Sequence, residues 1–374
     1  MYDQIGEDTL FMMLYAVVAV LNLVACCYLW FRQGNAFAAD VTPPIRLRRW
    51  TAVFFAANTL CHLWYLPSYF LTSSYNRMMG YFIAGLLDCM TVIPLTIVIL
   101  FTMLQDRRRP LWPVAVMVAP LVAGMAWRVV SRSDALMSIL CIYFLLLTIG
   151  LIVYMIRALR QYGQWLRDNY ADLEHKEVWQ SFVVLGNILL VYVVYLLDEG
   201  GLVFEYAMEV ILVVLVGYLL WRVETLSDLS ISVNDDTIDE MVTTEHEKDN
   251  ALPLSIRNNI GPLLKKYCEE PQLYLQNNIS ITQLAQQIGT NRSYLSNYFT
   301  LQGITYNTYI NGLRIQHFIN LYHESVATHQ PVTAQQLAHQ SGFRSYSTFS
   351  AAFKQSMGMT ATEWMRNNAG KKQH

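Results

Sequence analysis

Charged residues are scarce in this sequence. Asp, Glu, Lys and Arg together make up 14% of its 374 residues, whereas hydrophobic residues make up 54%. Because an ordinary soluble domain carries about 25% charged residues, this chain is too apolar to lie wholly in water. The composition therefore predicts a membrane region.

Cysteine pairs and enzyme signatures are also missing. Five of the six cysteines lie in apolar runs, and the sixth, Cys268, lies in the polar C-terminal part. No CxxC pair and no Cys/His pair at metal-ligand spacing occurs, which argues against a disulfide framework and against a zinc site. Walker, HExxH, GxSxG and kinase signatures do not occur either, so no common enzyme class is indicated. We expect no catalytic residue, no metal and no cofactor.

Seven apolar stretches occupy the first 222 residues. Each is close to the length of about 20 residues that crosses a bilayer as a helix. They cover residues 9–31, 50–71, 80–104, 111–130, 135–157, 178–197 and 203–221. We therefore predict an all-α fold in which residues 1–222 form a seven-helix transmembrane bundle.

Basic residues mark the side of the membrane on which each loop lies. Twelve Lys and Arg residues fall in the first, third and fifth loops and after the last stretch. The loops of the other side carry Arg77 and Arg132, with Arg128 at the edge. By the positive-inside rule, the N-terminus lies outside and the C-terminus lies in the cytoplasm.

A few ionisable residues lie within the apolar stretches. By position along each span, His62, Asp88 and Glu209 fall in the outer half, and Glu205 falls near the outer surface. Glu205 and Glu209 are four residues apart and share a helical face, and His62 lies at a depth similar to that of Asp88. One interpretation is an outward-opening pocket for a cationic or polar ligand, and the other is interfacial charge tied into helix packing. We take these four residues as candidate ligand-sensing residues, with the ligand unidentified.

Charge separates the remaining chain into two parts. Residues 223–250 hold nine Asp or Glu and one Lys, which predicts a flexible acidic linker. Residues 251–374 hold ten Lys or Arg against four Glu. A net charge of +6 on this last part agrees with contact to phosphate groups.

A helix-turn-helix pattern begins in this basic part, over about residues 281–300. We predict a first helix that Thr282 caps and Gly289 ends. Its apolar residues share one face: Ile281, Leu284, Ala285 and Ile288. A second helix, capped by Asn291, turns Leu295 and Phe299 inward. Its outer face carries small polar and cationic side chains that suit a DNA major groove: Arg292, Ser293, Ser296 and Asn297.

The pattern returns 53 to 54 residues later, over about residues 333–356. Phe349 and Phe353 take the places of Leu295 and Phe299, and a helix from Tyr306 to Glu324 joins the two units. The second helix of each unit, here called a reading helix, would enter the major groove. Because one helix joins the two units, the two reading helices would meet successive turns of the same groove. The candidate DNA contacts of the second unit are Arg344, Tyr346, Ser347, Ser350 and Lys354.

Residues of about 260–367 resemble the DNA-binding domain of the AraC/XylS family of bacterial transcription regulators. The residues that carry the resemblance are Ser341-Gly342-Phe343, Phe349, Phe353-Lys354, Gly358 and, in the joining helix, Arg314. The sequence departs from the family at Ala361, where proline is usual, and at Ala351, where a long polar side chain is frequent. The resemblance implies that residues 251–374 form a cytoplasmic tandem helix-turn-helix domain and that double-stranded promoter DNA is its partner.

The cytoplasmic segment between Arg157 and Glu177 continues the helical spacing of the fifth apolar stretch. Tyr162, Leu166 and Tyr170 recur at this spacing, so the fifth helix is expected to extend beyond the membrane. Lodging of this segment at the membrane surface is the favoured interpretation. Contact with the DNA-binding domain or with a second subunit is the alternative.

Together these patterns predict a one-component regulator in the bacterial inner membrane. Its spans would sense a membrane or periplasmic signal, and its tail would bind a promoter as a homodimer, with RNA polymerase as a further partner. The rival interpretation is a transporter or another multi-span membrane protein with a regulatory DNA-binding tail. Neither inverted repeats nor paired broken helices favour transport.

Overall fold

The computed structural model describes residues 8–32, 35–37, 41–133, 135–178, 183–184, 186–187, 190–191, 201–229 and 260–370. Within these ranges the regular elements are all helical, apart from one isolated β-bridge, which confirms the all-α prediction. The chain divides into two compact units. The N-terminal unit contains Met1–Arg160 and Val178–Ser230, and the C-terminal unit contains Gln161–Glu177 and Ile231–His374.

Long apolar helices build the N-terminal unit. They are α1 Thr9–Phe31, α2 Ile45–Phe70, α3 Ser74–Met90, α4 Val92–Met103, α5 Trp112–Ser131, α6 Met137–Asn169 and α7 Leu202–Thr225. Helix α1 packs against α2 and α7, and α2 also packs against α3 and α4. Helix α3 in turn packs against α5, so α2 lies centrally among the described helices.

Five of the described helices are long and apolar enough to cross a membrane. They are Thr9–Phe31, Ser74–Met103, which comprises α3 and α4, Trp112–Ser131, Met137–Asn169 and Leu202–Thr225. Only 17% to 33% of each apolar stretch is buried in the protein. In α1, for example, Phe11 and Val18 are fully buried, whereas Leu10 and Val17 are more than 60% exposed. Outward apolar faces of this extent suit a lipid environment.

The predicted count of seven spans is not confirmed. The stretch 178–197 lies largely outside the described residues. The stretch 50–71 forms α2, which is a helix of 26 residues but is not among the five apolar ones. Polar residues such as Asn58 and His62 lower the mean hydropathy of α2, and both are buried inside the N-terminal unit.

A break at Thr91 separates α3 from α4. Pro94 has no N–H to donate to the carbonyl oxygen four residues earlier, at Met90, so the ladder of helical hydrogen bonds is interrupted there. The Thr91 hydroxyl instead donates to the carbonyl oxygen of Leu87 at 2.7 Å. Asp88 lies in the last turn before this break.

Buried charged groups form hydrogen bonds near helix ends in the N-terminal unit. Arg48 is 8% exposed, and its Nε donates to the carbonyl oxygen of Leu29 at 2.9 Å. Glu224 is fully buried and accepts a hydrogen bond from the backbone N–H of Ala36 at 2.9 Å. Each charge thus meets a polar partner, as buried ions require. Glu224 belongs to α7, which ends at Thr225 within the predicted linker.

Short helices build the C-terminal unit, which also contains the end of α6. After a helical turn over residues 260–264 come a π-helix Lys265–Glu269 and a 3-10 helix Leu273–Leu275. The later helices are α8 Ile281–Gln287, α9 Arg292–Leu301, α10 Tyr306–Ala327, α11 Ala334–Gln340, α12 Tyr346–Met357 and α13 Ala361–Gly370. They form the two helix-turn-helix units, α8–α9 and α11–α12, which α10 joins.

Helix α10 contributes to two hydrophobic cores. Its first half places Tyr306 and Ile310 in a core with residues of α8 and α9. Its second half places Ile315 and Phe318 in a core with residues of α11, α12 and α13. Each helix-turn-helix unit therefore has its own core, and α10 holds both on one rigid element.

The cap predicted for the first helix was wrong. Ser280, not Thr282, caps α8, since its hydroxyl accepts from the backbone N–H of Gln283 at 3.3 Å. The Gln283 side chain accepts from the backbone N–H of Ser280 at 3.0 Å, which completes a capping box. Thr282 lies inside the helix and is only 9% exposed. A glutamine three residues after a serine marks the start of the helix more strongly than the isolated threonine does.

Candidate nucleic-acid interface

The first reading helix, α9, has one buried and one outward face. The Asn291 side chain accepts from the backbone N–H of Tyr294 at 2.8 Å and caps the helix. Leu295 and Phe299 are at most 2% exposed and lie in the first core. The predicted DNA contacts are outside this core: Ser293 is exposed, and Arg292, Ser296 and Asn297 are half-buried.

The second reading helix, α12, repeats this arrangement. Ser345 caps it by accepting from the backbone N–H of Thr348 at 3.3 Å, and Phe349 and Phe353 are fully buried. Of the predicted contacts, Ser347 and Lys354 are exposed, whereas Arg344, Tyr346 and Ser350 are half-buried.

Two side chains limit what the second reading helix offers to DNA. The Tyr346 ring lies 5.7 Å from the Phe349 ring, centroid to centroid, and packs against the second core. Its hydrocarbon ring is therefore partly committed to packing. Ala351 is exposed on the same helix and supplies no polar group.

Arg314 fastens the two helix-turn-helix units and does not face solvent. It is 1% exposed, its Nε donates to the carbonyl oxygen of Tyr274 at 2.8 Å, and its Nη2 donates to that of Gln276 at 2.7 Å. Its guanidinium also lies 5.6 Å from the centroid of the Phe343 ring. Burial lowers the pKa of Arg314 to about 10, so the group stays charged near neutral pH.

The alanine in place of the family's proline leaves the last helix start intact. Ala361 is the first residue of α13, the position at which proline is favoured because its missing N–H has no helical partner. Thr360 caps the helix by accepting from the backbone N–H of Glu363 at 3.3 Å. The Glu363 carboxylate accepts from the Thr360 N–H and hydroxyl, and these hydrogen bonds lower its pKa.

A further contact of the first reading helix was not predicted. The Arg292 Nε donates to the side-chain oxygen of Asn169, the last residue of α6, at 2.6 Å. The amide nitrogen of Asn307 donates to the carbonyl oxygen of Ala171 at 2.6 Å. Residues 161–177 therefore pack within the C-terminal unit. Of the interpretations left open for this segment, contact with the DNA-binding domain is the one that the structure shows.

The family comparison agrees with this geometry. A family model described as "Helix-turn-helix domain" matches residues 284–367, which include both reading helices and α10. The chain therefore carries a helix-turn-helix DNA-binding domain. The domain is of the AraC type, as the sequence resemblance implied. Comparison with curated proteins and with solved structures found no significant match.

The candidate ligand-sensing residues lie in the N-terminal unit and divide into three contacts. The Nε2 of His62 lies 3.3 Å from Oε2 of Glu209, and both residues are buried. The Glu205 carboxylate accepts from the Tyr69 hydroxyl at 3.1 Å. Asp88 accepts from the Tyr65 hydroxyl at 2.8 Å. His62 thus pairs with Glu209 and not with Asp88, the partner suggested by their similar depth.

Aromatic residues around these acids were missed in the sequence. The ring of Phe11 lies 5.5 Å from that of Tyr69 and 5.4 Å from that of Tyr206, centroid to centroid. Residues 62, 65 and 69 follow the spacing of one helical face, a signal that could have grouped Tyr65 and Tyr69 with His62. Within the described part of the chain, no group of three His, Cys, Asp or Glu residues could hold a metal ion.

Proposed function

We propose that the protein is a membrane-embedded one-component transcription regulator. The AraC-type domain supports binding to promoter DNA, and the five long apolar helices support a place in the membrane. The observation that carries the proposal is their presence in one chain. Such a chain reads a signal at the membrane and changes transcription without a second protein.

The DNA contacts belong to the outward faces of α9 and α12. At the first unit we assign them to Arg292, Ser293, Ser296 and Asn297. At the second unit we assign them to Arg344, Tyr346, Ser347, Ser350 and Lys354. Both sets lie opposite buried aromatic or leucine side chains, as a helix inserted into the major groove requires.

Signal recognition belongs to the polar contacts within the N-terminal unit. His62 and Glu209 form a buried pair, and Glu205 and Asp88 accept hydrogen bonds from tyrosines of α2. Charged groups inside apolar helices cost free energy and are most often functional. The ligand class favoured by three carboxylates and several aromatic rings is cationic or polar.

The cell location follows from the distribution of basic residues and from the DNA-binding tail. We place the N-terminus outside the bacterial inner membrane and residues 251–374 in the cytoplasm. Two tails of a homodimer would bind paired half-sites with a raised effective concentration, and RNA polymerase is the expected downstream partner.

Selection from a random duplex library with the purified full-length protein tests the proposal. Enrichment of one motif, with affinity that falls steeply with salt, is the expected result because basic side chains displace counterions from DNA. Asn297→Ala should relax the base preference at one position. Lys354→Ala should weaken binding to all sequences alike. It should also lower the slope of log affinity against log salt concentration by about one.

The matched control is Asn278→Ala, which removes an exposed side chain of the C-terminal unit that belongs to neither reading helix. It should change neither affinity nor preference. If the wild-type protein enriches no sequence at low salt, the proposed function is wrong.

A further inference from the structure

Residues 161–177, here called the α6 extension, are built into the C-terminal unit. Ala171 is fully buried in the first hydrophobic core. Tyr170 forms an antiparallel β-bridge with Ser280, the cap of α8. The side chain of Asn307 donates to the carbonyl oxygens of Tyr170 at 3.2 Å and Ala171 at 2.6 Å. Core, backbone and side-chain contacts thus hold the extension in one place.

The same extension engages the first reading helix. Asn169 accepts a hydrogen bond from Arg292 at 2.6 Å, and the carboxylate of Asp168 attracts the same guanidinium. Hydrogen bonds from a charged donor are directional and stronger than neutral ones. While the Arg292 Nε donates to Asn169, it cannot also donate to a base edge or a phosphate.

The far end of the extension carries a buried lysine. Lys176 is 6% exposed, and the Tyr162 hydroxyl donates to its carbonyl oxygen at 3.0 Å. Burial lowers the pKa of Lys176, the negative charge of Asp172 raises it, and the positive charge of Arg344 lowers it. The extension therefore contacts the first reading helix through Asn169 and has a buried lysine near its other end.

We propose that the α6 extension competes with DNA for the reading face, so that DNA binding requires its release. The proposal rests on the DNA-binding function proposed above. A protein whose binding-competent state is only partly populated has an affinity reduced by that fraction. Because α6 is one continuous helix over Met137–Asn169, a shift of its apolar part moves Asn169 and alters that fraction.

A reversible crosslink tests the proposal in the full-length protein. Tyr170 and Ser280 are paired across the β-bridge, a separation that suits a disulfide. In the double variant Tyr170→Cys/Ser280→Cys, oxidation should lock the extension in place. We expect the oxidised form to bind the selected duplex at least roughly tenfold more weakly than the reduced form. Bound DNA should also slow formation of the disulfide.

The two single-cysteine variants control for the six native cysteines and for the lost side chains. Equal affinity of the oxidised and reduced forms would overturn the proposal. So would a disulfide that forms at the same rate with and without DNA, or one that never forms. If the reduced and wild-type proteins bind no DNA at all, the proposed function fails instead.

Removal of the acceptor at Asn169 gives an independent test. Asn169→Ala should raise DNA affinity by roughly tenfold, since the bond it removes joins a charged donor. In an Arg292→Ala background the same change should have no effect, because the two side chains act as a pair. Asn278→Ala again serves as the control. A gain of affinity that persists without Arg292, or no gain at all, contradicts the competition.

Discussion

Gly342 shows most sharply how one residue fixes the geometry of the reading domain. Its φ of +86° lies in the left-handed region that favours glycine. A Cβ at this position would lie 2.7 Å from the Cα of Leu275. The turn before α12 therefore approaches the backbone of the 3-10 helix Leu273–Leu275 too closely for any side chain.

We predict that Gly342→Ala lowers the free energy of unfolding of the C-terminal unit by about 3 kcal/mol, from backbone strain and the clash with Leu275. Gly289→Ala is the control: its φ is +72°, but no atom lies within 4 Å of the added Cβ. It should cost about 1 kcal/mol. Hydrogen exchange of the α11 and α12 amides measures the cost of Gly342→Ala, and exchange of the α8 and α9 amides measures the cost of Gly289→Ala. Equal costs would contradict the close approach.

Cys268 provides a pH-dependent prediction. It is fully buried, and burial raises the pKa of its thiol to about 12. At pH 8 a thiol with that pKa is ionised in about one molecule in ten thousand, and the thiolate is the reactive form.

Cys268 should therefore resist iodoacetamide at pH 8 in the native protein and react after denaturation. Peptide mass spectrometry measures the modified fraction. A cysteine introduced by Ser293→Cys on the exposed face of α9 should react readily under the same conditions. Rapid modification of native Cys268 would show that the first core opens in solution and exposes the thiol.

At the scale of elements, α10 and Arg314 set the spacing of the two reading helices. Arg314 donates to two carbonyl oxygens of the segment before α8 and lies against Phe343 of the second unit. An arginine that matches a DNA-binding family is readily taken for a DNA contact. Arg314 instead is buried and donates hydrogen bonds to backbone carbonyl oxygens.

Arg314→Ala should lower the free energy of unfolding by about 3 kcal/mol, because the carbonyl groups of Tyr274 and Gln276 lose their donor and a cavity remains. Hydrogen exchange should speed up in both cores, since the residue touches both units. The exposed Arg366, replaced by Ala, is the control and should leave exchange unchanged. A loss of protection confined to one core would contradict the fastening role.

Local patterns predicted the helix-turn-helix elements well, whereas contacts between distant residues were not predicted. Leu295, Phe299, Phe349 and Phe353 lie in the two cores as their spacing indicated, because helical periodicity is a property of neighbours in sequence. The Arg292–Asn169 contact joins residues 123 apart. No periodicity encodes such a pair, and the same is true of His62 and Glu209, which are 147 apart.

At the scale of the whole molecule, the proposed topology makes a direct prediction. Reporter fusions at Ser74, Arg132 and Gly200 should report a periplasmic position, because their loops carry few basic residues. Fusions at Asp40, Gly163 and Asn250 should report a cytoplasmic position. A periplasmic result at Asn250 would contradict the topology. It would also place the DNA-binding domain on the side of the membrane opposite to the DNA.

We propose that this chain binds promoter DNA through its AraC-type domain while it is anchored in the membrane. A genome-wide map of DNA bound by the tagged full-length protein in membranes of living cells tests it most directly. We expect a small set of promoter peaks that share one motif and that disappear in the Asn297→Ala/Lys354→Ala variant at equal membrane abundance. Peaks that survive in this variant, or a wild-type map without promoter enrichment, would show that the AraC-type domain does not bind promoters in this way.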